Sequence, residues 1–297
     1  SGQHITHLFD LMAGSSTGGL LILALNVPDE QGHPAYTAEE IAQIYEIDGP
    51  KIFSASVWHR VQSVGSIAST KYSTEGIEEV VDHWFGDLHL SDSLGDVLIT
   101  SYEIQQRQPW FFRSMEARYS SRCEFSMRDV ARATTAAPTF FEPARIPHPE
   151  LPDDQFFALI DGSMQASNPT MAAYVDAKSR QPNAEEFFVL SLGTGDHTHP
   201  IDYDEARSWG LAGWAQHMLE IMFDGMNNSV HYQMKNLIAS RGDGTPMYYR
   251  LQPRLDSASE EMDDVSEKNI IALKDLVGEL IDQNDSLLDQ IVDQLLA

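Results

Sequence analysis

The sequence predicts a layered α/β protein, and three observations support this prediction. Short apolar runs of strand length alternate along the chain with segments whose apolar residues repeat at helical spacing. A chain of 297 residues with 42% apolar side chains is long enough to bury a substantial core. No internal repeat, low-complexity tract or linker-like stretch interrupts the pattern, so we expect one domain over residues 1–297.

The first half of the chain is predicted to form strands and helices in alternation. Apolar runs predict strands at residues 8–13, 97–102 and 110–112. Apolar spacing and N-cap residues predict helices over residues 17–26, 37–45, 73–84 and 127–135. The second of these helices opens on Thr37-Ala38-Glu39-Glu40, a capping box in which the side chains of Thr37 and Glu40 each accept a backbone N–H of the other residue.

The second half of the chain continues the same pattern. Two further short apolar runs, at residues 157–160 and 187–192, predict buried strands. From Ser266 onward the apolar residues form one stripe at helical spacing, which predicts a long C-terminal helix with an acidic, solvated opposite face.

Charge and cysteine content exclude several classes of function. The chain carries 45 acidic and 19 basic side chains, a net charge of −26, which argues against a nucleic-acid partner and against docking on anionic lipid. The single cysteine, Cys123, excludes an intrachain disulfide and a multi-thiolate zinc site within one chain. No EF-hand loop or His-rich cluster is present, so we expect no metal.

No segment of the sequence resembles a membrane span or a signal peptide. The longest apolar run, Leu20 to Leu25, is far shorter than the roughly 20 residues that cross a bilayer. We therefore expect a soluble or peripheral protein. Because the chain opens on Ser1 rather than Met, we also expect the native protein to continue upstream of it.

The sharpest motif is the G-x-S-x-G string Gly14-Ser15-Ser16-Thr17-Gly18. It follows a predicted strand and opens a predicted helix, which is the setting that a nucleophile elbow requires. The glycines allow a tight turn, and the helix N-terminus directs free N–H groups toward the serine oxygen. The sequence alone also permits a turn that serves packing or binds phosphate.

A serine nucleophile needs a base, and the sequence offers two kinds. In the hydrolase order Ser…Asp…His the candidate histidines follow the acid, and none has a distinctive setting: His197, His199, His217 and His231. The better candidate is Asp161, which ends the strand predicted at residues 157–160 and precedes Gly162-Ser163. Catalytic groups in α/β folds lie at such strand ends, although an ordinary Asx-turn fits the same residues.

Five segments, in order, resemble motifs of the patatin-like phospholipases. Residues 14–19 (GSSTGG) resemble the family's GTSTGG elbow, and residues 161–163 (DGS) resemble its D-G-G/A acid motif, with the usual Asn-Pro at 168–169. Residues 133–141 (ATTAAPTFF) are similar to ATSAAPTYF, and residues 191–195 match SLGTG. The resemblance runs from the first predicted strand to the C-terminal helix, and five ordered matches are highly specific.

The resemblance implies a fold and a reaction. The fold would be a three-layer α/β architecture with a central, mostly parallel sheet, helices on both faces and a long C-terminal helix. The reaction would be hydrolysis of phospholipids or related acyl esters by a Ser–Asp dyad through an acyl-enzyme, with Ser16 as nucleophile and Asp161 as base, and without a cofactor. Peripheral contact with a membrane fits such a substrate.

Two departures from the family pattern bear on these expectations. The acid motif has Ser163 where the family has Gly or Ala. The glycine-rich D-G-G-G-x-R-G loop, which supplies oxyanion-stabilising N–H groups upstream of the elbow, is absent from the residues given, so we expect it in the native N-terminal continuation. The alternatives are a catalytically silent or activator-dependent binding module of the same fold, or a short-chain esterase. A compact chain of this kind fits the cytoplasm of a bacterium.

Overall fold

The computed structural model describes residues 2–54, 70–150, 152, 154–196 and 199–297, and it divides into two compact units. The first unit comprises Ser1–Pro169 with two pieces from the C-terminal region, Val265–Glu267 and Asp289–Ala297. The second unit comprises Thr170–Asp264 and Lys268–Leu288. The expectation of one domain over residues 1–297 stays a prediction.

A five-stranded sheet forms the centre of the first unit. Its strands are β1 Met12–Gly14, β2 Val97–Glu103, β3 Gln108–Arg113, β4 Ala144–Pro147 and β5 Phe156–Asp161. Strand β2 runs parallel to β1 and antiparallel to β3 and β5, and β4 is antiparallel to β5.

The pairings of β2 bring two strand ends together. Strand β3 covers one edge of β2 from Leu98 to Glu103, so β1 and β5 share the other edge. Along that edge Gly14, the last residue of β1, pairs with Ile99, and Asp161, the last residue of β5, pairs with Ser101. Because β1 and β5 run in opposite directions, their carboxyl ends meet beside Thr100.

The helices of the first unit pack around this sheet. They are α1 Thr17–Leu25, α2 Ala38–Gln43, α3 Gly49–Ile52, α4 Glu75–Phe85, α5 Ser114–Ala117, α6 Met127–Thr134 and α7 Ser163–Ala166, with a π-helical segment at Ile44–Asp48 and 3-10 turns at Ile5–His7, Leu90–Asp92 and Ser121–Cys123. Helices α1 and α6 contact each other and strand β2. Their buried residues, such as Leu23 and Val130, join Ile99 and Leu159 of the strands in one core cluster.

The second unit is built on a two-stranded parallel sheet. Strand β6 Val189–Leu192 pairs with β7 Tyr248–Leu251. The helices are α8 Thr170–Arg180, α9 Tyr203–Ala206, α10 Leu211–Leu237 and α11 Glu267–Gln283, and a final helix, α12 Asp285–Leu296, lies mostly in the first unit. None of the helices in the described ranges is both long enough and apolar enough to cross a bilayer.

The predicted α/β class is confirmed, and the capping box at Thr37 and Glu40 forms as expected. The expected mostly parallel sheet is wrong for the first unit, where β1–β2 is the one parallel pairing among the four described. Short connections, at residues 104–107 and 148–155, join β2 to β3 and β4 to β5. Parallel strands need a crossover of a dozen or more residues, so these pairs can only be antiparallel.

Two predicted elements differ in length from the structure. The strand predicted at residues 8–13 is Met12–Gly14, because its partner β2 begins at Val97 and offers no pairing further back. The single C-terminal helix is two helices, interrupted at Asn284. The Asn284 side-chain amide donates to the Leu280 carbonyl oxygen at 2.7 Å, and such local side-chain bonds compete with helix continuation.

Candidate active site

Ser16 lies on a sharp turn between β1 and α1. Its backbone φ is +54°, in the left-handed region that side-chain-bearing residues rarely adopt, and it is the N-cap residue of α1. The turn is tight because Gly14 lies against the first turn of the helix: a Cβ on Gly14 would come within 2.4 Å of the Gly18 carbonyl oxygen. The sequence therefore builds the strained strand–turn–helix of a nucleophile elbow.

The Ser16 hydroxyl is hydrogen-bonded to a carboxylate. Its Oγ donates to Asp161 Oδ2 at 2.6 Å, and the Ser163 backbone N–H donates to the other oxygen, Oδ1, at 2.7 Å. The bond from Ser163 uses the backbone, so the substitution of Ser for Gly or Ala in the acid motif preserves it. Sequence positions 16 and 161 are thus brought together after β1 and at the end of β5, and their roles as nucleophile and base stay predictions.

Asp161 is 3% exposed, and burial raises its pKa from 3.8 to about 6, against the lowering effect of the hydrogen bonds from Ser16 and Ser163. Removing a carboxylate from water disfavours its charged form, which is why burial dominates. A carboxylate with a pKa near 6 is a stronger base than a solvated aspartate. At neutral pH it is still ionised and can accept the serine proton.

Two buried threonines, which the sequence analysis did not single out, form hydrogen bonds with the turns that carry Ser16 and Asp161. Thr134, at the end of α6, accepts the Ser16 backbone N–H with Oγ1 at 2.9 Å and the Gly162 N–H with its carbonyl oxygen at 3.1 Å. Thr100 of β2 shares a hydrogen bond with the Ser15 hydroxyl at 2.7 Å. Thr134 lies within the residues 133–141 that resemble the family segment, and that match was the available signal.

Gly162 is required by the same arrangement. A Cβ at this position would lie 2.1 Å from Thr100 Oγ1 and 2.3 Å from the Thr100 carbonyl oxygen. The turn after β5 can therefore pass over β2 only without a side chain, which explains the glycine that follows the acid.

Helix α1 begins directly after Ser16. The first helical N–H groups have no partner within a helix, and in the described residues the N–H groups of Thr17 and Gly18 donate to no acceptor. With the positive end of the α1 dipole they can stabilise negative charge next to Ser16 Oγ. The arrangement can therefore activate a serine, attack a carbonyl and stabilise the resulting oxyanion.

Three of the four candidate histidines have other partners in the described part of the chain. Within the described residues Ser16 Oγ has Asp161 as its hydrogen-bond partner, and His199, His217 and His231 interact with Glu260, Glu220 and Tyr248 respectively. His197 lies outside the described residues. No group of three His, Cys, Asp or Glu side chains in the described part of the chain could hold a metal ion.

Comparison with known proteins assigns the family. The model of the patatin-like phospholipase family matches residues 3–174, which contain the elbow, the acid motif and all five strands of the first unit. The chain belongs to the patatin-like phospholipase family. Membership supports lipid acyl hydrolysis in general terms, with lipid esters as the substrate class. The patatin-like match also confirms the resemblance drawn from residues 14–19 and 161–163.

The similarity to patatin-like proteins extends over most of the chain. The chain is 29% identical to patatin-like protein 4 of Arabidopsis thaliana over 93% of its own length and 74% of that protein. It is 29% identical to patatin-T5 of Solanum tuberosum, over 94% of this chain and 74% of that protein. A third relative, 28% identical over 89% of this chain and 73% of its own length, is named probable inactive patatin-3-Kuras 1 of Solanum tuberosum.

Proposed function

We propose that this patatin-like protein is a serine hydrolase that cleaves the carboxylic ester bonds of phospholipids or related acyl lipids with a Ser16–Asp161 dyad. The observation that carries the proposal is the 2.6 Å hydrogen bond from Ser16 Oγ to a buried carboxylate of raised pKa. A serine that only capped its helix would bond to the helix backbone, whereas the Ser16 side chain makes no capping bond.

The reaction proceeds in two halves. Asp161 takes the proton of Ser16 as Oγ attacks the ester carbonyl carbon, and the N–H groups at the start of α1 stabilise the oxyanion together with the upstream glycine-rich loop that the family resemblance leads us to expect. The alcohol leaves with the proton from Asp161, and the acyl group remains on Ser16. Water, deprotonated by Asp161, then attacks the acyl-enzyme, the fatty acid leaves and Ser16 regains its proton.

The test combines covalent labelling with product release. A fluorophosphonate probe, which reacts with an activated serine, should label the protein at Ser16. Fatty acid should be released from phosphatidylcholine micelles and from a short acyl ester. Ser16→Ala should abolish labelling, and Ser16→Ala and Asp161→Asn should each lower release by at least about 10³-fold.

Each alternative has its own outcome. Cleavage of the short ester without lipid release would replace the proposal with a short-chain esterase. Labelling without release from either substrate would indicate an activator-dependent protein. Neither labelling nor release would indicate a catalytically silent binding module, and one relative of this chain is itself named probable inactive.

We also propose that helix α10 contacts the surface of the lipid substrate. Its first half exposes large apolar side chains that at 100° per residue share one face: Leu211 (94% exposed), Trp214 (43%), Met218 (50%) and Met222 (43%). The acidic Glu220 and Asp224 lie on the opposite side of the helix. Apolar side chains of this kind bind at the boundary between headgroups and acyl chains.

A vesicle-binding assay tests this contact. Met218→Asp should weaken co-sedimentation with phosphatidylcholine vesicles, because a charge would enter the acyl boundary. Val175→Asp is the matched control, since Val175 is also exposed (58%) but lies on α8. Equal binding by the two variants would rule out α10 as the lipid-contacting element.

A further inference from the structure

A second polar site lies wholly within the second unit, at the carboxyl ends of the parallel strands β6 and β7. It is a cavity of about 220 Å³ lined by six side chains: Asp196, Asn227, Asn228, His231, Arg250 and Gln252. Ligands of α/β proteins bind where parallel strands end. This cavity, the Arg250 pocket, contains no residue of the Ser16–Asp161 dyad.

The centre of the Arg250 pocket is a guanidinium whose hydrogen-bond acceptors among the described residues are neutral oxygens. Arg250 Nη1 donates to Ser191 Oγ at 2.7 Å, and Nη2 donates to Asn227 Oδ1 at 2.8 Å and Gln252 Oε1 at 2.9 Å. No carboxylate among the described residues forms an ion pair with it. Asp196 is linked to Arg250 through Gln252, whose side-chain amide N–H donates to Asp196 Oδ1 at 2.8 Å.

The charge on Arg250 is therefore fixed in place without a directly bonded carboxylate among the described residues, and Asp196 acts on it only through space. Burial lowers the pKa of Arg250, yet a guanidinium remains protonated in proteins. Of its five N–H groups, three have the acceptors just named, and Nε–H and one Nη1–H have none in the described part of the chain. A guanidinium that is held rigidly and still has N–H groups without an acceptor is suited to bind an anionic ligand.

The other walls of the pocket supply further donors. His231 Nδ1 shares a hydrogen bond with Tyr248 Oη at 3.0 Å, which leaves Nε2 of the ring for a ligand. Burial and the charges of Arg250 and Lys235 lower the pKa of His231, so a bound anion would raise it again. Asn228 is exposed at the rim of the pocket and can donate an amide N–H.

The Arg250 network explains why residue 193, in the S-L-G-T-G segment that the proposed hydrolysis does not use, is a glycine. A Cβ on Gly193 would lie 1.3 Å from Gln252 Oε1 and 2.6 Å from Arg250 Nη2. Any side chain at residue 193 would displace the amide that holds the guanidinium. The end of β6 is thus shaped around the Arg250 network.

We propose that the Arg250 pocket binds a phosphate group, either free phosphate or the phosphate of a lipid headgroup. Arg250, His231 and Asn228 would donate to its oxygens. The carboxylate of Asp196 disfavours a second negative charge, so a singly charged phosphate should bind better than a doubly charged one.

Calorimetric titration with two soluble probes tests the proposal and separates the sources of phosphate. The probes are inorganic phosphate and glycerophosphocholine, a phosphodiester headgroup without acyl chains. At least one should bind saturably, and Arg250→Gln should weaken binding by at least about tenfold through loss of the charge-assisted bonds. Tighter binding of glycerophosphocholine assigns a lipid headgroup, and tighter binding of inorganic phosphate assigns the free ion.

Matched variants keep the test decisive. Arg241→Gln is the control, because Arg241 belongs to the same unit but already pairs with Glu186 at 2.9 Å, so binding should not change. Asn228→Asp adds a negative charge at the exposed rim without touching the Arg250 bonds, and it should weaken binding even if Arg250→Gln fails to fold. In NMR titrations the pKa of His231 should rise when the probe binds.

Ser16→Ala should bind the probes as the unaltered chain does, so the outcome is independent of hydrolysis. Binding of neither probe, or undiminished binding by both Arg250→Gln and Asn228→Asp, would overturn the assignment.

Discussion

At the scale of single residues, keeping the buried carboxylate of Asp161 ionised lowers the stability of the folded protein. Burial raises the pKa of this carboxyl from an ordinary value of 3.8 to about 6 in the folded protein, a difference that corresponds to about 3 kcal/mol. Because the folded-state pKa is the higher one, the protein gains stability from this group below pH 3.8 and loses it as the pH rises to about 6. The fold therefore keeps this carboxylate ionised at the expense of stability.

The first prediction concerns the pH dependence of activity. If Asp161 must be ionised to accept the Ser16 proton, kcat/KM for a short acyl ester should fall about tenfold per pH unit below about pH 6. Asp129→Asn should leave this profile unchanged, since Asp129 lies in the first turn of α6 and not at the site. A flat profile between pH 5 and 8 would contradict the role of Asp161 as base.

The second prediction concerns stability at the same residue. Asp161→Asn removes the buried charge but keeps the shape of the side chain, so it should raise the free energy of unfolding at pH 8, by up to about 3 kcal/mol. At pH 3.5 the two proteins should differ little, because the carboxyl is then largely protonated in both states. Urea unfolding at the two pH values measures both differences, and an Asn variant less stable at pH 8 would refute the account.

At the scale of elements, the elbow depends on one close approach. Gly14→Ala should destabilise the protein by about 1–3 kcal/mol, because its Cβ would come within 2.4 Å of the Gly18 carbonyl oxygen. Gly18→Ala is the control from the same turn: its Cβ meets nothing within 4 Å, so stability should change by less than about 1 kcal/mol. Thermal unfolding of both variants measures the contrast, and equal losses would contradict it.

The elements also show what the sequence could and could not predict. The elbow and the acid were predictable because glycines mark their turns locally and the family motifs contain them. Thr100 and Thr134 were not singled out from the sequence, because each acts through contacts that exist only once β2, α1 and α6 are packed together.

Helix α10 was missed for a different reason. Its N-cap residue is Gly210, which has no capping side chain, and its first turn has no acidic residue, so the local signals that mark a helix start are missing there. The C-terminal region was predicted as helical, but its interruption depends on the side-chain bond of Asn284, which apolar spacing does not report.

At the scale of the whole molecule, the net charge of −26 should govern which lipid surfaces the protein binds. Binding to phosphatidylcholine vesicles should weaken as phosphatidylglycerol is added, because like charges repel, and added salt should restore part of it. Co-sedimentation over a series of compositions and salt concentrations measures this. Tighter binding to the anionic vesicles would show that a local basic surface outweighs the net charge.

The shared edge of β2 has a consequence for the order of events during synthesis. Ser16 is synthesised early, but Asp161, its hydrogen-bond partner, is 145 residues further along and reaches it only when β5 pairs beside β1. Such distant pairings form late in folding, because a long loop must close first. A nascent chain that ends before residue 161 therefore has the Ser16 turn without its carboxylate, so the proposed dyad can form only after β5 has joined the sheet.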